Sequence, residues 1–242
     1  MRDEDKPGIR DLPLFRQISD QTFEALMAAS YAQSFPPKLD LFSQGQRADF
    51  LHILVEGGVA LHAEWRGREA VMGVVRPVSS FILAACLRDM PYLMSARTLE
   101  RSRILMLPSA HLRAAIRREP ELALAVMDEL AGSYRSMVRQ AKNMKLRTAR
   151  DRLAAWILHQ AQHQGQHRGQ PQGRVNSFVL PVEKRDLASY LGMTPESLSR
   201  ALAGLREDGI ALDGARIIIT DWQRLSAAAD YDPLIDDAGE DL

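Results

Sequence analysis

Residues 181–210 read PVEKRDLASYLGMTPESLSRALAGLREDGI, and the punctuation of this stretch decides how the C-terminal part folds. Leu187, Ala188 and Leu191 share one face of a helix over 183–191. Gly192 follows, and glycine tolerates the left-handed backbone of a sharp turn. Thr194-Pro195-Glu196 then reads as N-cap, first helical residue and acidic first turn of a second helix. Leu198, Ala201, Leu202 and Leu205 point inward, and Gly209 ends the segment. Residues 178–180 form a short apolar run ahead of it, and 212–219 predict a hairpin with a tight turn at Asp213-Gly214. Helix, glycine turn, capped helix and hairpin together predict a winged helix-turn-helix.

The outward face of the second helix has its own chemistry. Glu196, Ser199 and Arg200 lie at i, i+3 and i+4, so they share a face near the helix N-terminus. That end of such a helix meets base edges in a major groove. Arginine donates twice to guanine, glutamate accepts from cytosine, and serine contacts base or phosphate. A carboxylate facing DNA is costly unless it reads a donor or orients an arginine, so it favours base readout over general phosphate attraction. Thr194, Lys184, Arg185 and Arg206 are candidate phosphate contacts. Charge distribution agrees: residues 147–220 hold ten Lys/Arg against seven Asp/Glu, whereas 221–242 hold one Arg against seven acids. The same face also reads as a solvated helix surface with an i,i+4 ion pair.

Upstream, Pro120 suits the first turn of a long helix. Met127, Leu130, Tyr134, Met137, Ala141 and Met144 follow at spacings of 3, 4, 3, 4 and 3, which is a heptad seam. It predicts a parallel homodimer; burial of the helix within one subunit is the alternative. Leu122, Val126 and Val138 form a second stripe that can pack on the preceding domain, and Gly132 is a weak point in the helix. Helix continues through 147–160 with Arg147, Arg150 and Arg152. Residues 159–174, HQAQHQGQHRGQPQGR, predict a solvated loop. His159, His163 and His167 would offer metal ligands if helical, and the glycines at 165 and 169 argue against that helix.

The first part reads as α then β. An apolar stripe over 20–30 (Phe23, Leu26, Met27) begins after Ser19-Asp20, with Pro36-Pro37 as its stop. Short apolar runs at 39–42, 51–55, 59–62, 70–75 and 104–107 are broken by Gly45, Gly57-Gly58 and Gly67. Turns about every 8–12 residues predict an antiparallel sandwich or barrel. Residues 54–61 read as two strands of a hairpin meeting at Gly57-Gly58. The fold class is α+β: an N-terminal antiparallel β-roll over 1–118, a dimerisation helix over 119–146, a winged helix-turn-helix over 147–225 and an acidic tail over 226–242.

Composition sets outer bounds. The 242 residues carry 31 basic and 31 acidic side chains, so net charge identifies no partner. No apolar run reaches the ~18 residues of a membrane span, and the charged N-terminus MRDEDKPGIR is no signal peptide, so a cytoplasmic protein is expected. The single cysteine, Cys86, excludes an intrachain disulfide, a cysteine zinc site and a four-cysteine iron–sulfur cluster. No nucleophile elbow, Walker loop or HExxH motif points to an enzyme.

With these residues in hand, residues 14–225 resemble the CRP/FNR family of bacterial transcription regulators. The likeness rests on the β-roll with Gly57-Gly58, the long helix, LRTARDRLAAWIL at 146–158 and the winged module at 181–210. The FNR-like branch has a recognition helix E-x-x-S-R. Glu196, Ser199 and Arg200 occupy those places, which implies a TTGAT-like half-site in a palindrome, a homodimer on double-stranded DNA, and RNA polymerase as partner if the protein activates. Family members that bind cAMP use F-x-G-E and then R-[ST]-A. Aligned on Phe81, this chain has Leu83, Ala84 and Met94 at the Gly, Glu and Arg places, which argues against a cyclic nucleotide. The stretch FILAACLRDMPYLMSARTL at 81–99 resembles the branch that governs denitrification and responds to nitric oxide through haem. That likeness implies an apolar pocket and haem b, with His52, His62, His111, Phe81 and Met94 as candidates. Each histidine has an alternative: His52 and His62 facing solvent on the predicted hairpin, His111 on a surface helix. The competing function is a small-molecule-binding module that acts through protein partners.

Overall fold

The computed structural model describes residues 3–167 and 173–236. The chain forms two bodies, Met1–Ser133 and Tyr134–Leu242, with the border inside one long helix.

Among the described residues the N-terminal body opens with a 3-10 turn at Asp3–Asp5 and then three α-helices, α1 (Lys6–Arg10), α2 (Pro13–Arg16) and α3 (Asp20–Ala28). The Ser19 side chain accepts from the Thr22 amide and caps α3, as the Ser-Asp signal predicts. The helix ends at Ala28, well short of Pro36-Pro37. The residues between form a strand, β1 (Tyr31–Phe35), where the prolines were expected to stop the helix. Then come β2 (Asp40–Phe42), β3 (Phe50–Glu56), β4 (Val59–Trp65), β5 (Arg68–Val75), β6 (Ser79–Phe81), α4 (Leu83–Arg88), β7 (Ser95–Thr98), β8 (Ser102–Pro108) and α5 (Ser109–Ile116). The strands make two antiparallel sheets, ordered β1-β8-β3-β6 and β2-β7-β4-β5.

That order corrects the predicted hairpin at Gly57-Gly58. β3 pairs with β8 and β6, while β4 pairs with β5 and β7. The two glycines are a corner between sheets. Gly57 has φ +93°, and a Cβ there would stand 2.5 Å from the Arg101 carbonyl oxygen. The true hairpin is β4–β5. Its tip carries Arg66 and Gly67 in the left-handed region, with the Arg66 guanidinium 4.5 Å above the exposed Trp65 ring. Leu51, Ile53, Leu54, Val59, Ile104, Leu105 and Leu107 are fully buried in one core, and along β3 and β8 they alternate between the two faces, so both sides of that sheet are covered.

The long helix α6 (Pro120–Leu146) leaves this body at its N-terminal half. Leu122 and Val126 are buried in the β-roll core, and Leu130 packs against it. Glu129 accepts from the Ser80 hydroxyl on β6 at 3.4 Å, and burial raises its carboxyl above the ordinary range.

In the C-terminal body the chain breaks at Thr148. Its hydroxyl accepts from the Asp151 amide while the Asp151 carboxylate accepts from the Thr148 amide, a reciprocal cap that starts α7 (Ala149–His167). The expected loop from 159 is therefore helix through His167. Gly165 does not break it. The returning backbone of Arg174 lies where a Cβ would be, 2.2 Å away, and the Val175 amide donates to Ala161. Close packing that only glycine permits outweighs its poor helix propensity. His159 and His163 stand one turn apart with ring centroids 6.2 Å apart, and no three metal-ligating side chains gather among the described residues.

Beyond it lie β9 (Ser177–Val179), α8 (Lys184–Tyr190), α9 (Pro195–Gly204), β10 (Ile210–Asp213), β11 (Arg216–Ile219), α10 (Trp222–Ala229) and α11 (Pro233–Asp236). β10 and β11 pair from Ile210↔Ile219 to Asp213↔Arg216, so the two-residue loop is Gly214-Ala215, one place later than read from sequence. Leu153, Ile157, Phe178, Leu187, Leu198, Leu202, Ile217 and Leu225 make a second, separate core. Trp156 packs edge-on to Phe178, and Arg174 lies over the Trp222 ring. α10 crosses the 225/226 boundary of the expected acidic tail, burying Leu225 and Ala229.

Candidate nucleic-acid interface

The turn between α8 and α9 is built by the chain's own groups. The Met193 amide donates to Ala188 and the Gly192 amide to Ser189. Gly192 takes φ +64°, the left-handed conformation its position requires. Thr194 then caps α9, its hydroxyl accepting from the Ser197 amide at 3.2 Å.

α9 buries Leu198 and Leu202 and leaves Glu196, Ser199 and Arg200 exposed on the opposite side. Ser199 donates to the Pro195 carbonyl at 3.0 Å, and Arg200 donates to the Ser197 hydroxyl at 3.3 Å. The Glu196 carboxyl is held below the ordinary range by its own backbone amide, then by the Thr194 hydroxyl and the Arg200 charge. The face thus presents an ionised acceptor beside a forked cation at the positive end of a helix. Lys184 and Arg185 stand exposed on the first turn of α8, and Arg206 on the turn after α9.

Two arginines that read only as basic residues on α7 prove structural. Arg152 is buried and donates to the carbonyls of Leu191 at 2.9 Å and Gly192 at 3.4 Å, and also to Arg147 at 2.7 Å. Its place one turn before Trp156 on an apolar face was the available signal. Arg150 pairs with Asp208, tying α7 to the segment after α9.

Along α6 the predicted seam divides. Met127, Tyr134 and Met137 are 57, 65 and 62% exposed, Met144 is 40% exposed, and Ala141 is exposed too. Leu130 is the exception, spent on the β-roll core. Val138, expected on the packed stripe, is also exposed.

Of the five haem candidates the structure brings together His52 and Phe81 and leaves the rest apart. His52 and Phe81 are register partners on β3 and β6, with rings 5.4 Å apart. His62 lies on β4 in the other sheet, His111 is exposed on α5, and Met94 sits in the loop before β7. Both His52 and His62 are buried, which corrects the solvent-facing alternative. His62 is held by Glu69 at 3.6 Å and Arg97 at 3.5 Å. The His52 Nδ1 has no hydrogen-bond partner among the described residues, but Phe42 packs its centroid 4.8 Å from the imidazole, and Tyr92 closes the cluster at 6.2 Å. A macrocycle would have to displace these rings, so the residues do not fit haem in this arrangement. Cys86 is buried and donates to the Phe50 carbonyl, and burial raises its thiol, so it packs as a small apolar side chain.

Residues 32–119 match the cyclic nucleotide-binding domain family, and residues 151–228 match the Crp-like helix-turn-helix domain. This chain is a CRP/FNR family regulator. It is 25% identical to the transcriptional activator protein FnrL of Cereibacter sphaeroides, over 96% of this chain and 90% of FnrL. It is 26% identical to the nitrogen fixation regulation protein FixK of Azorhizobium caulinodans, over 76% of this chain and 73% of FixK. Among solved structures, a regulatory protein from Silicibacter pomeroyi superposes with TM-score 0.62 at 28% identity, over 95% of this chain and all of that one. FixK2 from Bradyrhizobium japonicum shares the fold, with TM-score 0.69 at 20% identity, over 82% of this chain and 96% of FixK2. In this CRP/FNR regulator the segment after β6 is apolar: Leu83 is buried in the core and Ile82 takes φ +65° just before it. No described helix is long and apolar enough to cross a membrane.

Proposed function

We propose that this regulator acts as a two-fold dimer whose α9 helices enter successive major grooves and read an inverted TTGAT-like repeat through Glu196, Ser199 and Arg200. One observation carries the reading: these three side chains stand exposed together at the capped N-terminal end of α9 while Leu198 and Leu202 anchor its other side. Thr194, Lys184, Arg185 and Arg206 supply phosphate contacts around them. The apolar stripe of Met127, Tyr134 and Met137 is the surface on which two copies pair.

The β-roll then serves as sensor. Ser80 on β6 bonds Glu129 on α6, so an effector that favours one placement of β6 and α4 biases the helix that carries the dimer seam. That effector is not a cyclic nucleotide. Leu83 fills the core at the place of the phosphate-binding glycine, and Met94 stands at the place of the arginine, so a phosphate would go unpaired. Haem, which the 81–99 resemblance implies, draws no support from the scattered histidines; a sharp Soret band on adding haem to purified protein would reverse that reading. Contact with RNA polymerase follows if the protein activates.

Gel shifts on inverted TTGAT-like repeats test the reading. Binding should weaken steeply with salt. Arg200→Ala should cost about 1–3 kcal/mol and relax preference at a single base pair. Absence of any salt-sensitive shift would favour a module acting through protein partners instead.

A further inference from the structure

The break between α6 and α7 carries a buried ion pair that the domain match at 151–228 does not reach. Arg147 lies at the break itself, its side chain only 5% exposed. It grips the carboxylate of Asp236 with both arms of its guanidinium, Nη1 to Oδ1 at 2.7 Å and Nη2 to Oδ2 at 2.6 Å. Nη2 also donates to the Asp230 carbonyl at 2.6 Å. Asp236 ends α11, and its Oδ2 also accepts from the Asp232 amide. The polypeptide after the winged domain therefore folds back onto the joint at which the long helix hands over to the DNA-reading domain.

The other face of the joint is fixed as well. Arg152 takes the Arg147 carbonyl and reaches the Leu191 and Gly192 carbonyls in the turn before α9. The Met144 methyl, on the last turns of α6, fills the space beside Gly192. One short backbone segment is thus held from one side by the tail and from the other by the turn that positions the reading helix. A bidentate arginine–carboxylate pair fixes orientation as well as distance.

We propose that Asp236 and Arg147 are positioning residues: the tail latches the α6–α7 joint and so sets the half-site spacing that the dimer accepts. The inference rests on the reading of α9 as the DNA-facing helix. Neither residue touches DNA in it. A latched joint presents two reading helices at one fixed separation. An unlatched joint lets each helix find its half-site at neighbouring separations.

The test uses the full-length protein and three DNA sets: a single half-site, the inverted repeat at its preferred spacing, and repeats with one base pair added or removed. The wild type should discriminate against altered spacings by about tenfold or more. Failure of the wild type to bind the inverted repeat would sink the DNA-facing reading and the spacing role with it, whereas binding with spacing control unchanged in the variants would sink the latch alone. Asp236→Asn removes the charge at nearly constant size. Arg147→Lys keeps the charge but cannot engage both oxygens. Each should leave single half-site affinity within about twofold of wild type and cut the spacing discrimination to about threefold or less. Asp236→Glu, which restores the carboxylate, should recover part of it. Unchanged spacing discrimination in both Asp236→Asn and Arg147→Lys overturns the proposal. Loss of half-site binding in both also overturns it, because the pair would then hold the domain's fold and not its placement.

Discussion

His52 shows how a single side chain can make a domain acid-sensitive. Burial pushes its imidazole from the ordinary value of 6.5 down to about 4, against a smaller upward effect of the nearby Phe50 backbone. The folded state therefore keeps the ring neutral while the unfolded chain protonates it. Stability is complete above about pH 6.5 and falls as pH drops toward 4, by an amount on the order of 3 kcal/mol. Melts of the N-terminal body between pH 7 and 4.5 should show this slope, and His52→Phe should flatten it; an equal slope in both proteins would show that other groups dominate. Gly192 is the second decisive residue. It combines φ +64° with a neighbour, the Met144 methyl, that a Cβ would approach to 2.1 Å. Gly192→Ala should destabilise the DNA-reading domain by about 1–3 kcal/mol. Met144→Ala in the same chain should recover only the steric part, leaving the backbone strain, as urea titrations would reveal.

At the scale of elements, α6 does two jobs with two stripes. Leu122 and Val126 are sunk in the β-roll, and Met127, Tyr134 and Met137 are left uncovered. Met137→Glu should yield monomers by sedimentation, because a carboxylate in an apolar seam has no partner; a variant that stays dimeric would locate the interface elsewhere. The helix-turn-helix was legible from sequence because its signals are local. Thr194, Pro195 and Gly192 each act on their own backbone. Strand partnership is not local. Gly57-Gly58 announces a turn but not that its two strands enter different sheets. β1 is not legible in the sequence because Tyr31–Phe35 buries no residue fully and so shows no clear alternation. Nor is the helix to His167, because Gly165 is penalised by propensity and accommodated only by the close passage of Arg174, which no local rule contains. For the site, the exposed triad was readable from i, i+3, i+4 spacing, whereas the roles of Arg147 and Arg152 depend on carbonyls and a carboxylate distant in sequence.

At the scale of the whole molecule, two cores share no buried residue among the described ones: one runs from Ile9 to Val126, the other from Leu153 to Ala229. Calorimetry should resolve two unfolding steps. Leu202→Ala should lower only one of them, by about 2–5 kcal/mol, and a single sharp transition would show that α6 fuses the bodies into one cooperative unit. The three tryptophans are divided unevenly between these bodies. Trp65 stands at the β4–β5 tip, 68% exposed, while Trp156 and Trp222 are half-buried beside Phe178 and Arg174. Indole emission shifts only when its solvation changes, and Trp65 is already in water. Intrinsic fluorescence will therefore follow the C-terminal body and be almost blind to the N-terminal one, which makes it a ready optical gauge of one body in the presence of the other.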